Sequence, residues 1–205
     1  MTTPAVQQVM RDYLRAIQRD IANGIATEHT YRPALKSCLE SLHQDITATN
    51  EPKRIECGAP DFVISRKTGH GLVTIGYLEA KDVGASLADI ERDSQRANPT
   101  TSNGRQLKRY LKALPNLVLT NYLEFRWYVE GEKREAGELG QFSGNRLSIN
   151  QKGLGTVSGL LANFLQATPE SIGSPLELAR RMARLTHIIR DMIVEALTAI
   201  GHLPT

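Results

Sequence analysis

The sequence predicts an α/β domain: a central mixed β-sheet of about four to five strands flanked by helices, with a C-terminal helical extension. Three observations predict it. Apolar residues recur at helical spacing along the first 46 residues and again after 154. Strand-type runs fill 54–83 and 116–130, with helical patterns between them. The run from Leu72 to Val83 is apolar in both parities, as a strand buried between two layers of helices must be.

The elements follow in order. Thr3 and Pro4 suit a helix start, and Val6, Val9, Met10, Tyr13, Leu14, Ile17 and Ile21 recur until Asn23-Gly24 stops the pattern. A second helix is predicted over Thr30 to Ile46 on the stripe Tyr31, Leu35, Cys38, Leu39 and Leu42. A short extended piece at 54–57 is broken by Gly58-Ala59-Pro60, and the strands 61–65 and 72–83 follow, joined by a turn at 66–71. In the second strand Val73, Ile75 and Tyr77 would share one face, and Leu72, Leu78 and Ala80 the other. Helices are predicted at 86–96 and 105–113, then strands at 116–120 and 123–130. Residues 131–152 lack periodicity and read as a rim loop or hairpin. A helix over 154–167 precedes a longer one over 175–200, whose stripe (Leu176, Leu178, Met182, Leu185, Ile188, Ile189, Met192, Ile193, Leu197) is broad enough to dock on another domain or a second copy. The expected division is a domain over 1–150 and a helical extension over 151–205.

With 40% hydrophobic and 23% charged residues among 205, the chain can fill one core, which excludes a disordered, collagen-like or disulfide-dense protein. No apolar run approaches the roughly 18 residues of a membrane span. The N-terminus carries charges where a signal peptide needs an apolar stretch, so a cytoplasmic protein with no membrane partner is expected. Cys38 and Cys57 have no metal-type spacing, and the scattered histidines argue against zinc. Net charge is only +3, but no acid lies between Asp93 and Glu124, where Arg96, Arg105, Lys108, Arg109 and Lys112 all fall. That segment suits a polyanion.

The chemistry gathers at Pro60-Asp61 and Glu79-Ala80-Lys81. Side chains alternate along a strand, so Glu79 and Lys81 project to the same face. Antiparallel pairing through a hairpin-length turn would bring Asp61 beside Glu79. Two such carboxylates call for a cation between them, and hard oxygen donors favour Mg²⁺, with Mn²⁺ able to substitute. A neighbouring lysine can orient a water and stabilise phosphate charge, which together make a phosphodiester-hydrolysis site.

These residues resemble the PD-(D/E)xK nuclease superfamily. Gln106 and Tyr110 match the QxxxY helix signature of its RecB-like branch, and Glu28 stands where many members place an accessory acid. The runs Glu28 to Leu42, Gly58 to Phe62, Gly76 to Lys81 and Leu114 to Asn121 look like the N-terminal nuclease region of single-chain (type ISP and type IIG-like) restriction–modification enzymes. The resemblance implies a restriction-endonuclease-like fold and a Mg²⁺-dependent deoxyribonuclease. It implies metal ligation by Asp61 and Glu79, with the Ala80 carbonyl and a water held by Glu28. It implies water activation by Lys81, steadied by Gln106 and Tyr110. Arg105, Lys108, Arg109 and Lys112 become candidates for contacts to the backbone of double-stranded DNA. The implied partners are a downstream adenine methyltransferase or motor domain, absent from this sequence, and a possible second copy. The rival reading is a DNA-binding or scaffolding module that keeps the fold without cutting.

Overall fold

The computed structural model describes residues 4–22, 28–52, 55, 57–69, 71–143, 146–167 and single positions between 179 and 194. Its elements are α1 (Pro4–Ala22), α2 (Glu28–Leu42), β1 (Ile46–Asn50), β2 (Phe62–Thr68), β3 (Gly71–Ala80), α3 (Leu87–Ser94), α4 (Ser102–Ala113), β4 (Asn116–Thr120), β5 (Glu124–Val129), β6 (Glu132–Glu138), β7 (Gly140–Ser143), β8 (Arg146–Ile149) and α5 (Gln151–Gln166).

Six strands form one sheet in the order β1-β2-β3-β4-β5-β6, and β7 and β8 form a separate hairpin. β3 and β4 run parallel and every other pair in the main sheet is antiparallel, so the sheet is mixed as expected. It has more strands than the sequence suggests. β1 was hidden in Ile-Thr-Ala-Thr-Asn, too short and polar to stand out from the end of a helix. β6 was hidden in a charged edge segment, Glu-Lys-Arg-Glu-Ala-Gly-Glu, whose polarity suits a solvent-facing edge. Conversely, the extended piece expected at 54–57 contributes, among the described residues, only an isolated bridge from Ile55 to Gly58.

Both faces of the sheet are covered. On one, Phe62, Ile64, Leu78, Ala80, Val118 and Phe125 pack with buried residues of α1, α2 and α5, including Leu14, Leu39, Leu160 and Phe164. On the other, Leu117, Leu119 and Tyr128 pack with Leu87, Ile90, Leu107 and Tyr110 from α3 and α4. β4 is buried at every position, the signature of a strand between two helical layers.

Two details depart from simple alternation. A bulge opposes Ile64 and Ser65 to Gly76 and Thr74, leaving Ile75 as the extra residue. Ile75 therefore joins the α1/α2/α5 face with Leu78, rather than the row of Tyr77. Next to it, Gly76 leaves room that no other residue would: a Cβ there would sit 2.5 Å from the Phe164 ring and 2.8 Å from Asn116 Nδ2. Asn116 uses that space to donate to the Ile75 and Phe164 carbonyls (2.7 and 3.2 Å) and to accept from Trp127 Nε1 (2.7 Å).

Thus α5 is fastened into the core, and the compact unit runs to Ala167 rather than to 150, with 168–205 as a second unit. The predicted helix over 175–200 lies largely outside the described residues; of its stripe, Met182 and Ile193 are described, and both are exposed. No helix among the described residues is long and apolar enough to cross a membrane.

Candidate active site

β2 and β3 pair with Phe62 opposite Leu78, which sets Asp61 opposite Glu79 at the end of the strands. The parallel neighbour holds the continuation of β3 in place, because the Lys81 N–H donates to the Thr120 carbonyl at 2.8 Å. Glu79 and Lys81 share the face that carries Tyr77, toward α4, and both are buried. The apolar strand ends in charge as the alternation requires.

The side chains then link in a chain. Asp61 Oδ2 accepts from the Ala80 N–H at 2.8 Å. Lys81 Nζ donates to Glu79 Oε1 and to Gln106 Oε1, both at 2.7 Å. Gln106 Nε2 faces the Tyr110 hydroxyl at 3.3 Å, which orients the amide so that its oxygen meets the lysine. Tyr110 is fixed by its surroundings: Gly58, at φ +128°, places its backbone where a Cβ would lie 3.1 Å from the Tyr110 hydroxyl. Asp61, Glu79, Lys81, Gln106 and Tyr110 are thus brought together.

Glu79 is the electrostatic centre of this group. Burial pushes its carboxyl up to about 7, with the Asp61 charge adding to the shift and Lys81 opposing it. Its second oxygen, Oε2, is buried without a hydrogen-bond partner. An orphaned carboxylate oxygen is costly, and one beside a second carboxylate has the donor chemistry of a hard-cation site. The residues present fit Mg²⁺ or Mn²⁺ on that observation. Two protein carboxylates suffice for such an ion, which keeps most of its waters. Among the described residues no group of three or more His, Cys, Asp or Glu side chains gathers to hold a metal. Glu28 opens α2, but its side chain lies outside those described.

The basic residues of α4 divide. Arg105, Lys108, Arg109 and Lys112 are all exposed. Three of them also brace loops: Arg105 donates to the Thr100 carbonyl (2.8 Å), Lys108 to those of Arg96 and Ala97 (both 2.7 Å), and Arg109 Nε to that of Cys57 (2.5 Å).

Sequence reasoning missed Arg32. It is buried in α2, with Nη2 2.5 Å from Asp61 Oδ1 and Nη1 2.8 Å from Glu51 Oε1. The available signal was spacing, since Arg32, Leu35 and Leu39 fall at i, i+3 and i+7 and place a charge on the buried stripe.

No family model and no curated protein matches the chain. Its structure is similar to part of a chain in the cryo-EM structure of a DrdV–DNA complex, with a TM-score of 0.55 and 18% identity. The fold is restriction-endonuclease-like. The match covers 80% of this chain and 14% of that one, so the restriction-endonuclease-like domain corresponds to a small part of its neighbour.

Proposed function

We propose that this domain is a Mg²⁺-dependent endonuclease module acting on double-stranded DNA, the cleavage part of a restriction–modification enzyme. The observation that carries the reading is the buried, partnerless Glu79 Oε2 beside Asp61 and Lys81. The similarity of fold to part of a DNA-bound protein supports it.

In this reading Asp61 and Glu79 hold the cation through their carboxylate oxygens, with the Ala80 carbonyl and a water on Glu28 completing its surroundings. When bound, the cation supplies Lewis-acid activation of the scissile phosphate and neutralises its charge. Lys81 commits two of its three N–H groups to Glu79 and Gln106, and turns the third to the attacking water or a phosphate oxygen. Gln106 keeps the ammonium in place because its own amide is held by Tyr110. Lys112, Arg105, Lys108 and Arg109 line the exposed side of α4 and meet the DNA backbone, which positions the duplex without reading its sequence. A methyltransferase or motor domain would lie in the same or an associated polypeptide.

One observation favours a silent DNA-binding module instead: Asp61 and Glu79 are each already paired with a cation, Arg32 and Lys81. A single experiment separates the two. With supercoiled plasmid and Mg²⁺, the protein should nick or linearise the DNA, and chelation should stop it. Lys81→Ala should lower the rate on the order of 10²-fold or more, as loss of a charge-stabilising group does, while leaving DNA binding intact. Lys112→Glu should weaken binding and flatten its salt dependence. Binding without metal-dependent cleavage by the unaltered protein would favour the silent module.

A further inference from the structure

We infer that Arg32 is a resident counter-cation of the candidate metal site, holding Asp61 in the metal-free protein and thereby weakening the site's uptake of a divalent ion. The inference rests on the reading of Asp61 and Glu79 as metal ligands.

The geometry is a closed ring. The Arg32 guanidinium joins the Asp61 carboxylate to the Glu51 carboxylate, at 2.5 and 2.8 Å, and the Glu51 N–H returns to the Asp61 carbonyl at 2.9 Å. Glu51 closes this ring from a left-handed backbone conformation, φ +48°, which a non-glycine residue keeps only where its surroundings fix it. Arg32 is therefore not a surface side chain that happened on a carboxylate. Only 6% of it is exposed, whereas the Glu51 side chain is 66% exposed.

Charge accounts for the effect. Asp61 and Glu79 occupy facing positions at one strand end, and each takes its own cation from the protein: Arg32 for Asp61 and Lys81 for Glu79. The site is thus compensated without metal. A divalent ion held by the same carboxylates meets the buried Arg32 charge, and the solvent-screened Glu51 does little to offset it. Taking one unit charge out of this position should tighten divalent-ion binding by about tenfold or more. A guanidinium that merely packed α2 against the sheet would leave metal affinity unchanged.

Calorimetric titration of the full chain with MnCl₂ tests this, on the unaltered protein, Arg32→Lys and Arg32→Gln. Arg32→Gln keeps a donor but loses the charge, and should bind Mn²⁺ at least about tenfold more tightly than the unaltered protein. Arg32→Lys keeps the charge and should stay within about threefold of it. Mn²⁺ binding to Arg32→Gln no tighter than to the unaltered protein overturns the inference and leaves the metal-site reading standing; so does Arg32→Lys binding as tightly as Arg32→Gln. No Mn²⁺ binding by either the unaltered protein or Arg32→Gln overturns the metal-site reading itself, and the inference with it. Should Arg32→Gln be unfolded in chelator, recovery of its helical circular dichroism on adding Mn²⁺ is the expected result, and failure to recover it overturns the inference.

Discussion

Glu79 shows how one buried residue ties stability to pH. Its folded-state carboxyl is pushed up to about 7, chiefly by burial, above the ordinary value of about 4.3. The folded protein therefore binds more protons than the unfolded chain between those two values, and stability falls as pH rises through that window. Glu79→Gln keeps the shape and removes the ionisation. In chelator it should melt above the unaltered protein at pH 8, and the difference should shrink toward pH 5; a larger gain from Glu79→Gln at pH 5 than at pH 8 would contradict the assignment. Bound metal would reverse the preference, because only the unaltered carboxylate gains from it. The residues behind this behaviour were legible in the sequence for a definite reason. Period-two alternation and a hairpin-length turn fix Asp61, Glu79 and Lys81 without any long-range information. Arg32 was not legible as a partner of Asp61, because its contact depends on how α2 lies across the sheet, which no local pattern encodes.

At the scale of elements, the placement of α4 decides whether Gln106 and Tyr110 reach the lysine. Asp93, at the end of α3, does that placing. Its carboxylate accepts from the backbone and hydroxyl of Thr100 (3.0 and 2.9 Å) and of Thr101 (2.9 and 2.7 Å), while Thr101 itself caps α4. Those donors, the Thr100 backbone foremost, hold the Asp93 carboxyl below the usual carboxylate range. The stabilisation is therefore present at neutral pH and is lost as pH falls below that range, so Asp93→Asn should destabilise the protein at pH 7 and much less in strong acid. Gly104 is the matching constraint, since a Cβ there would lie 2.1 Å from Asp93 Oδ2. An alanine in a helix is normally a gain of about 1 kcal/mol over glycine. Here overpacking of roughly 1–3 kcal/mol should outweigh it, and urea denaturation of Gly104→Ala would reveal a loss. The helices and central strands around this motif were readable from periodicity alone. β1, β6 and the bulge at Ile75 were not: short polar strands form because a neighbour offers its edge, and a bulge shifts the parity that alternation relies on.

For the molecule as a whole, the informative boundary is the one after Ala167. Periodicity finds α5 but cannot say what it packs against, so an amphipathic helix following a glycine-rich segment reads as an appendage. The structure instead gives Val157, Leu160, Leu161 and Phe164 to the core shared with the sheet. Burying each is worth about 1.5–3 kcal/mol. Four of them rival the 5–15 kcal/mol net stability of an ordinary domain. Losing α5 would also strip Asn116 of its bond to the Phe164 carbonyl and leave a hollow above Gly76, at the strand that ends in Glu79. A fragment of residues 1–167 should therefore unfold cooperatively on heating, whereas residues 1–150 should fail to fold. Circular dichroism melting of the two fragments decides it. A cooperative transition in the shorter fragment would mean that α5 is an addition to a core already complete, and that the site at the end of β3 does not depend on the chain beyond 150.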